Sequence, residues 1–226
     1  MAARGRFITF EGTDGSGKST QIEKLADTLR SLHLKVLLTR EPGGTPIGES
    51  IRHMLLDSST QGLCPHTELA LMFAARVQHL REVILPALAA GEYVLCDRFT
   101  DSTEAYQGGG RELGSEPVLT LHRVLCDDIQ PDLTLVLDCD LAVSLARAKH
   151  RNLVTSAGGH ADENRFEQEG RAFFGRVHDA FLAIAQREPK RVAVIDARGT
   201  PVETHGKILA VVRDRLQLPG IYHSVI

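Results

Sequence analysis

Five short apolar runs are spaced along the chain at Arg6–Phe10, Lys35–Thr39, Tyr93–Asp97, Leu133–Asp138 and Arg191–Asp196. Each is rich in aliphatic or β-branched residues and nearly continuous in its apolar character. Such runs suit strands covered on both faces, whereas a half-exposed strand alternates. Between them lie longer segments with apolar positions three and four residues apart, as at Ile22, Leu25, Ala26 and Leu29. This spacing predicts helices over Ser19–Leu32, Thr67–Ala90, Pro117–Cys126, Glu163–Arg187 and Pro201–Leu216. Strand and helix in alternation predict an α/β fold with a parallel sheet and right-handed crossovers.

Two stretches break the pattern. Arg40–Gly48 holds Pro42, Gly43, Gly44 and Pro46 and reads as a loop. Arg151–Asp162 holds Gly158 and Gly159 without apolar periodicity and reads as mobile. The run Gly108–Gly110 before Arg111 lacks a strand-to-helix setting and reads as a flexible turn. No composition shift marks a domain boundary, so residues 1–226 read as one domain.

Composition adds exclusions. With 42% hydrophobic and 24% charged residues the chain can bury a core. Aromatics are 5% with no Trp, so that core is mainly aliphatic. A formal net charge of −3 argues against a nucleic-acid coat protein, which binds through a basic surface. Cys64, Cys96, Cys126 and Cys139 form no C-x-x-C pair or zinc framework and read as free buried thiols. No apolar run approaches the roughly 20 residues of a membrane helix, and no signal segment follows the basic residues 1–6. The expectation is a cytoplasmic protein without membrane contact.

The chemistry begins at Gly12-Thr13-Asp14-Gly15-Ser16-Gly17-Lys18-Ser19, followed by Thr20. It satisfies G-x-x-x-x-G-K-[ST] between a predicted strand and a predicted helix. Glycines let successive backbone N–H groups turn towards one phosphate, and the helix N-terminus adds its dipole. Lys18 is expected at the β- and γ-phosphates of ATP, with Ser19 and Asp97 on Mg²⁺. No N-K-x-D guanine motif accompanies it, which argues against a GTPase. Arg98, directly after the strand at Tyr93, suits an acceptor that is itself anionic, held by a forked pair of hydrogen bonds. Arg40 and Arg52 are further candidates. Another nucleotide kinase, or a regulatory ATPase with no acceptor, shares the loop alone.

The chain resembles the bacterial-type thymidylate kinases. Phe10–Thr20, Thr39-Arg-Glu-Pro-Gly-Gly-Thr45, Asp97-Arg-Phe99 with Ser102–Arg111, and Asn164-Arg-Phe-Glu-Gln-Glu169 carry the likeness across nearly the whole sequence. It implies a five-stranded parallel sheet sandwiched by helices, a P-loop nucleotide kinase, with a flexible lid at about 147–163. The implied reaction is ATP + dTMP → ADP + dTDP, in a homodimer. The resemblance sets Arg98 and Arg52 at the acceptor phosphate and Asp14 at the sugar 3′-hydroxyl. It assigns Glu41 and Pro42 of the Pro-Gly-Gly loop to the acceptor site, Arg76 to a base oxygen, and Met72 or Phe73 to the base face. Ser102 and Thr103 match positions facing the pyrimidine N3 edge. Tyr106 matches a residue lying against C2′ that disfavours ribose, with Gln107 nearby. Gly15 stands where eukaryotic-type members carry a basic residue. Catalytic cations are then expected from the lid: Arg151 first, then Lys149 and Arg147. The glycine-rich 152–162 segment is longer than the usual bacterial lid.

Overall fold

A computed structural model describes residues 4–60, 62–157 and 165–218, with 151–157 described by backbone alone. Five strands form one parallel sheet: β1 (Phe7–Glu11), β2 (Val36–Arg40), β3 (Tyr93–Asp97), β4 (Leu133–Asp138) and β5 (Val192–Asp196). Their order is β2-β3-β1-β4-β5. The chain leaves β1 for one side of the sheet and later crosses to the other, so the carboxyl end of β1 lies at the switch point. Ligands of open α/β sheets bind at that place. Register sets Phe10 beside Asp97, which brings the loop after β1 next to the loop after β3.

Successive β1 side chains enter opposite layers, the reason the apolar runs do not alternate. Ile8 and Phe10 pack with Leu25, Leu29, Ile208 and Val212 of α1 (Lys18–Ser31) and α9 (Pro201–Leu216). Phe7 packs on the other face with Phe73, Leu80 and Val118 of the elements around α3 (Pro65–His79) and α6 (Ser115–Cys126). A third group joins Tyr106, Val136 and Phe166 to Phe173, Val177 and Phe181 of α8 (Arg171–Arg187).

Several expected boundaries move, each for a local reason. The loop at 40–48 is shorter than predicted, because α2 (Pro46–Leu56) starts with Pro46 at its first position and Thr45 as cap, accepting from Gly48 N at 3.0 Å. The helix expected over 67–90 is α3, a π-helical segment at Leu80–Ile84, and the short α4 (Leu85–Ala89). Pro86 has no N–H for the carbonyl four residues back, and the widened turn precedes it. The helix expected over 163–187 begins only at Arg171. Before it, the backbone N of Arg165 donates to Leu56 O at 3.0 Å and its guanidinium donates to buried Glu68 at 2.7 Å. That anchoring takes the chain off a helical path. Cys96, Cys126 and Cys139 are buried as expected, whereas Cys64 is exposed at the cap of α3.

The glycine run is no flexible turn. After the short α5 (Thr100–Thr103), residues Glu104–Gly110 form a buried π-helical segment against α8. A Cβ on Gly110 would lie 2.5 Å from the Phe173 ring, and one on Gly109 2.8 Å from Ala180 Cβ. The glycines permit that close approach. The last turns of α7 (Leu141–Ala157) carry the beginning of the expected lid, and residues 158–163 lie outside the described residues.

Candidate active site

The β1–α1 loop takes the backbone form its glycines allow. Gly12, Gly15 and Gly17 have φ of 129°, 81° and 99°. At Gly15 space is also restrictive, since a Cβ would lie 2.0 Å from Ser144 O of α7. A basic side chain at this position would collide with that helix. Thr13 Oγ1 donates to Ser144 Oγ at 3.2 Å, tying loop to helix. Lys18, 6% exposed, folds back over the loop and donates to the carbonyls of Gly12 (3.1 Å) and Thr13 (3.0 Å). Burial, then the Arg98 charge, push its ammonium down to about 8. Ser19 Oγ sits 3.5 Å from Asp97 Oδ2.

Arg98 follows β3 with a φ of 71°. Its N donates to Phe10 O at 3.0 Å and its carbonyl accepts from Cys96 Sγ at 3.1 Å. The guanidinium donates to Ser102 Oγ (2.9 Å), Asp14 Oδ1 (2.8 Å) and the Tyr106 hydroxyl (3.2 Å), and lies 4.9 Å from the Tyr106 ring centroid. The Tyr106 hydroxyl donates to Asp14 Oδ2 at 3.3 Å. Behind this group is Glu11, fully buried, which accepts from Phe99 N at 2.7 Å and from Ser102 Oγ. Burial, with Asp101 next, pushes its carboxyl up to about 8.

Arg76 rises from α3 between two aromatic rings, 4.9 Å from the Phe73 centroid and 5.1 Å from that of Phe99. Nε donates to Glu41 Oε2 at 2.7 Å and one terminal nitrogen to Thr103 Oγ1 at 2.8 Å. The other, buried, has no hydrogen-bond partner among the described residues. Burial alone would raise the Glu41 carboxyl, but Arg76 and His79 together hold it below its ordinary value. Arg52 donates to Pro42 O at 2.9 Å, and the Glu41–Pro42 peptide is cis. Arg40 pairs with Glu49 at 3.1 Å near the rim.

A cleft of about 730 Å³ joins these groups. It is lined by the loop from Asp14 to Thr20 and by Gly199, Pro201 and Thr204. Asp97, Arg98 and Arg147 line it too, as do Arg52, Met72, Arg76, Ser102, Thr103, Tyr106 and Gln107. Of the two residues proposed for the base face, Met72 lines the cleft. Phe73 does not: it is 0% exposed and packs under the Arg76 guanidinium. Gln107 is held by its bond to Glu68 at 2.7 Å. Lys149 is exposed on α7 and does not line the cleft, and the Arg151 side chain lies outside the described residues. Sequence reasoning missed Gln21, Leu56, Phe166 and Glu167 among the lining residues, together with the Ala197–Thr204 turn. Phe166 and Glu167 stand inside the Asn164–Glu169 segment, so a signal for them existed. The turn after β5 carries no motif, and only its place at the sheet's carboxyl edge marks it.

Comparison with known proteins agrees with this geometry. A family model described as thymidylate kinase matches residues 10–208. The thymidylate kinase of Pseudomonas syringae pv. tomato is 50% identical over 214 residues, covering 95% of this chain and 98% of its own. That of Trichlorobacter lovleyi is 48% identical, over 94% and 99%. The crystal structure of thymidylate kinase from Ehrlichia chaffeensis superposes with a TM-score of 0.74 at 34% identity, covering 92% of this chain and 99% of that one. A strand-anchored phosphate loop facing a clamped arginine, on a chain matched along nearly its full length, leads to one conclusion: the chain belongs to the thymidylate kinase family.

Proposed function

We propose that this chain, acting as one kinase domain, transfers the γ-phosphoryl group of ATP to dTMP, giving ADP and dTDP, with the two nucleotides meeting tail to tail at the Asp14–Arg98 pair. The observation that carries this reading is a single cleft lined by Lys18, Arg98 and Arg76, with Arg98 bonded to Asp14 of the loop. The loop from Gly12 to Thr20 cradles the ATP phosphates, with the adenine towards Gly199 and Pro201. Arg98 and Arg52 hold the dTMP phosphate, Asp14 takes the 3′-hydroxyl, and Tyr106 fills the space a 2′-hydroxyl would need. Arg76, Ser102 and Thr103 meet the base edge, and Met72 its face. Glu41 and Pro42 shape this end, with Gln107 behind.

A phosphate monoester has a second pKa of about 6, so the acceptor is already a dianion at neutral pH and needs no general base. Its oxygen attacks the γ-phosphorus in line as the bond to the β-phosphate oxygen breaks. The protein's part is alignment and charge. Ser19 and Asp97 fit a Mg²⁺ ion: Asp97 Oδ1 is buried without a hydrogen-bond partner among the described residues, and Oδ2 faces the Ser19 hydroxyl. Two protein oxygens suffice, because Mg²⁺ keeps several waters and takes phosphate ligands. When bound, it neutralises charge on the β- and γ-oxygens. Gly15 leaves the loop with no cation besides Lys18, so Arg151, Lys149 and Arg147 are assigned to supply a further one. Arg147, lining the cleft, is the described member of this set that reaches it.

A steady-state assay with dTMP, dUMP, UMP, dGMP and thymidine tests the reading. Turnover should be highest with dTMP and negligible with thymidine, which has no phosphate for Arg98. ATP hydrolysis indifferent to every monophosphate would overturn it. Run on Arg147→Ala, Lys149→Ala and Arg151→Ala, the same assay should show kcat reduced in at least one with dTMP KM kept. A homodimer is proposed through α3 and α6, where Val124 (71% exposed) and Leu125 (40%) present an apolar face. Light scattering giving twice the chain mass checks it, and a monomer would refute it. Three buried free thiols suit a reducing cytoplasm, which cell fractionation checks. No described helix is long and apolar enough to cross a membrane.

A further inference from the structure

His79 is fully buried, does not line the cleft, and holds two polar partners. Its Nδ1 lies 3.0 Å from Glu41 Oε1, and its Nε2 lies 2.6 Å from Thr39 Oγ1. The Glu41 carboxylate, ionised beside Arg76, can only accept, so Nδ1 must carry the proton. In a neutral imidazole Nε2 is then the acceptor, and the Thr39 hydroxyl donates to it. The other Glu41 oxygen accepts from Arg76 Nε at 2.7 Å. The links then run from Thr39 to His79 and from His79 to Glu41, while Arg76 donates to the same carboxylate from the other side, so the four residues join β2 to the cleft wall. The Pro-Gly-Gly loop closes over it. A Cβ on Gly44 would lie 2.4 Å from His79 Nε2, so only a glycine lets the loop pack this closely on the imidazole.

A carboxylate fixed through one oxygen can swing about its last side-chain bond. Fixed through both, it presents a single plane to the guanidinium. Arg76 is otherwise clamped by Thr103 and by the rings of Phe73 and Phe99, and its remaining terminal nitrogen has no hydrogen-bond partner among the described residues. We propose that His79, with Thr39 behind it, is a positioning residue for acceptor-base selection: it locks Glu41 so that Arg76 offers its donors in one orientation. This rests on the reading that Arg76 meets the base of dTMP. A donor-only guanidinium favours thymine, with two carbonyl acceptors, over cytosine, which replaces one by an amino donor.

The test uses the full-length enzyme and its His79→Leu, His79→Asn and Thr39→Val variants. It measures kcat and KM for dTMP and dCMP together with Tm. Losing one charge-assisted hydrogen bond at Glu41 should raise the dTMP KM of His79→Leu about tenfold, with kcat within about threefold of wild type. The preference for dTMP over dCMP should narrow. His79→Asn keeps an N–H directed at Glu41 and should recover most of the affinity, whereas an apolar packing role would be served no better by Asn than by Leu. Thr39→Val touches neither Glu41 nor the cleft and should shift KM in the same direction by less. Should His79→Leu fail to fold, the other two variants decide. A folded His79→Leu with wild-type KM and preference, or a loss in kcat alone, would overturn the relay. A wild type inactive on dTMP would instead overturn the functional reading beneath it, and with it the relay's purpose.

Discussion

Replacing Lys18 with alanine should lower kcat by about 10³ or more, with a smaller change in dTMP affinity. The proposed reaction puts the lysine beside the transferring phosphoryl group, and its ammonium is held over the loop by the carbonyls of Gly12 and Thr13. Charge placed in advance costs no reorganisation during transfer, so its loss falls on the transition state. Single-turnover measurement of dTDP formation checks this, and a variant within about tenfold of wild type would overturn the assignment. A pH signature accompanies it. The free-enzyme ammonium is held down to about 8, and only its protonated form assists. As pH rises through 8 the proton is lost, so kcat/KM for ATP should fall by up to about tenfold per unit. At saturating ATP the bound phosphates favour the ammonium, and the same limb in kcat should move to higher pH. Glu11, pushed up to about 8, ionises in the same window and adds negative charge beside Arg98. Glu11→Gln removes that second titration and should leave the Lys18 limb in place.

How much of this was legible in the sequence depends on the range of the interaction concerned. The loop at Gly12–Ser19 is a local object, since its φ values and helix start are set within eight residues. The strands were legible because burial on both faces leaves continuous apolar runs. The failures are places where distant groups override a local rule. Phe73, an aromatic beside Arg76 in sequence, faces inward because the guanidinium needs a ring beneath it, and α3 gives the cleft to Met72 instead. Gly108–Gly110 reads as loose, yet α8 passes too close for side chains at Gly109 and Gly110, and a Cβ on Gly108 would meet the Gly114 carbonyl at 3.0 Å. Arg165 interrupts an apparent helix to reach Glu68, nearly a hundred residues earlier. No period or motif encodes such a pairing. Arg111 shares the cause: it bonds the same Glu68 at 3.2 Å, with Glu169 on its other side. One buried carboxylate thus gathers Gln107, Arg111 and Arg165 from two separate segments, and of these Gln107 lines the cleft.

Arg98 offers the second large effect, and its backbone supplies the control. A non-glycine residue at a φ of 71° costs roughly 1–2 kcal/mol. The strain is held by the bonds to Phe10 O and from Cys96 Sγ, and by Glu11 fixing the next peptide N–H. A fold gains nothing from this unless the side chain is needed where that backbone aims it. Arg98→Ala should therefore lower kcat/KM for dTMP by about 10³ or more, because the acceptor phosphate loses its forked partner and faces Asp14 uncompensated. Arg98→Lys keeps the charge but not the fork and should recover only part of the loss. Arg98→Gly should be as inactive as Arg98→Ala, yet more stable than it by about 1 kcal/mol, since glycine relieves the positive φ. Denaturant melts read beside initial rates would separate the two. If glycine and alanine matched in stability while activity survived in either, the strained turn would not be serving the guanidinium, and the acceptor phosphate would have to be held by other groups such as Arg52.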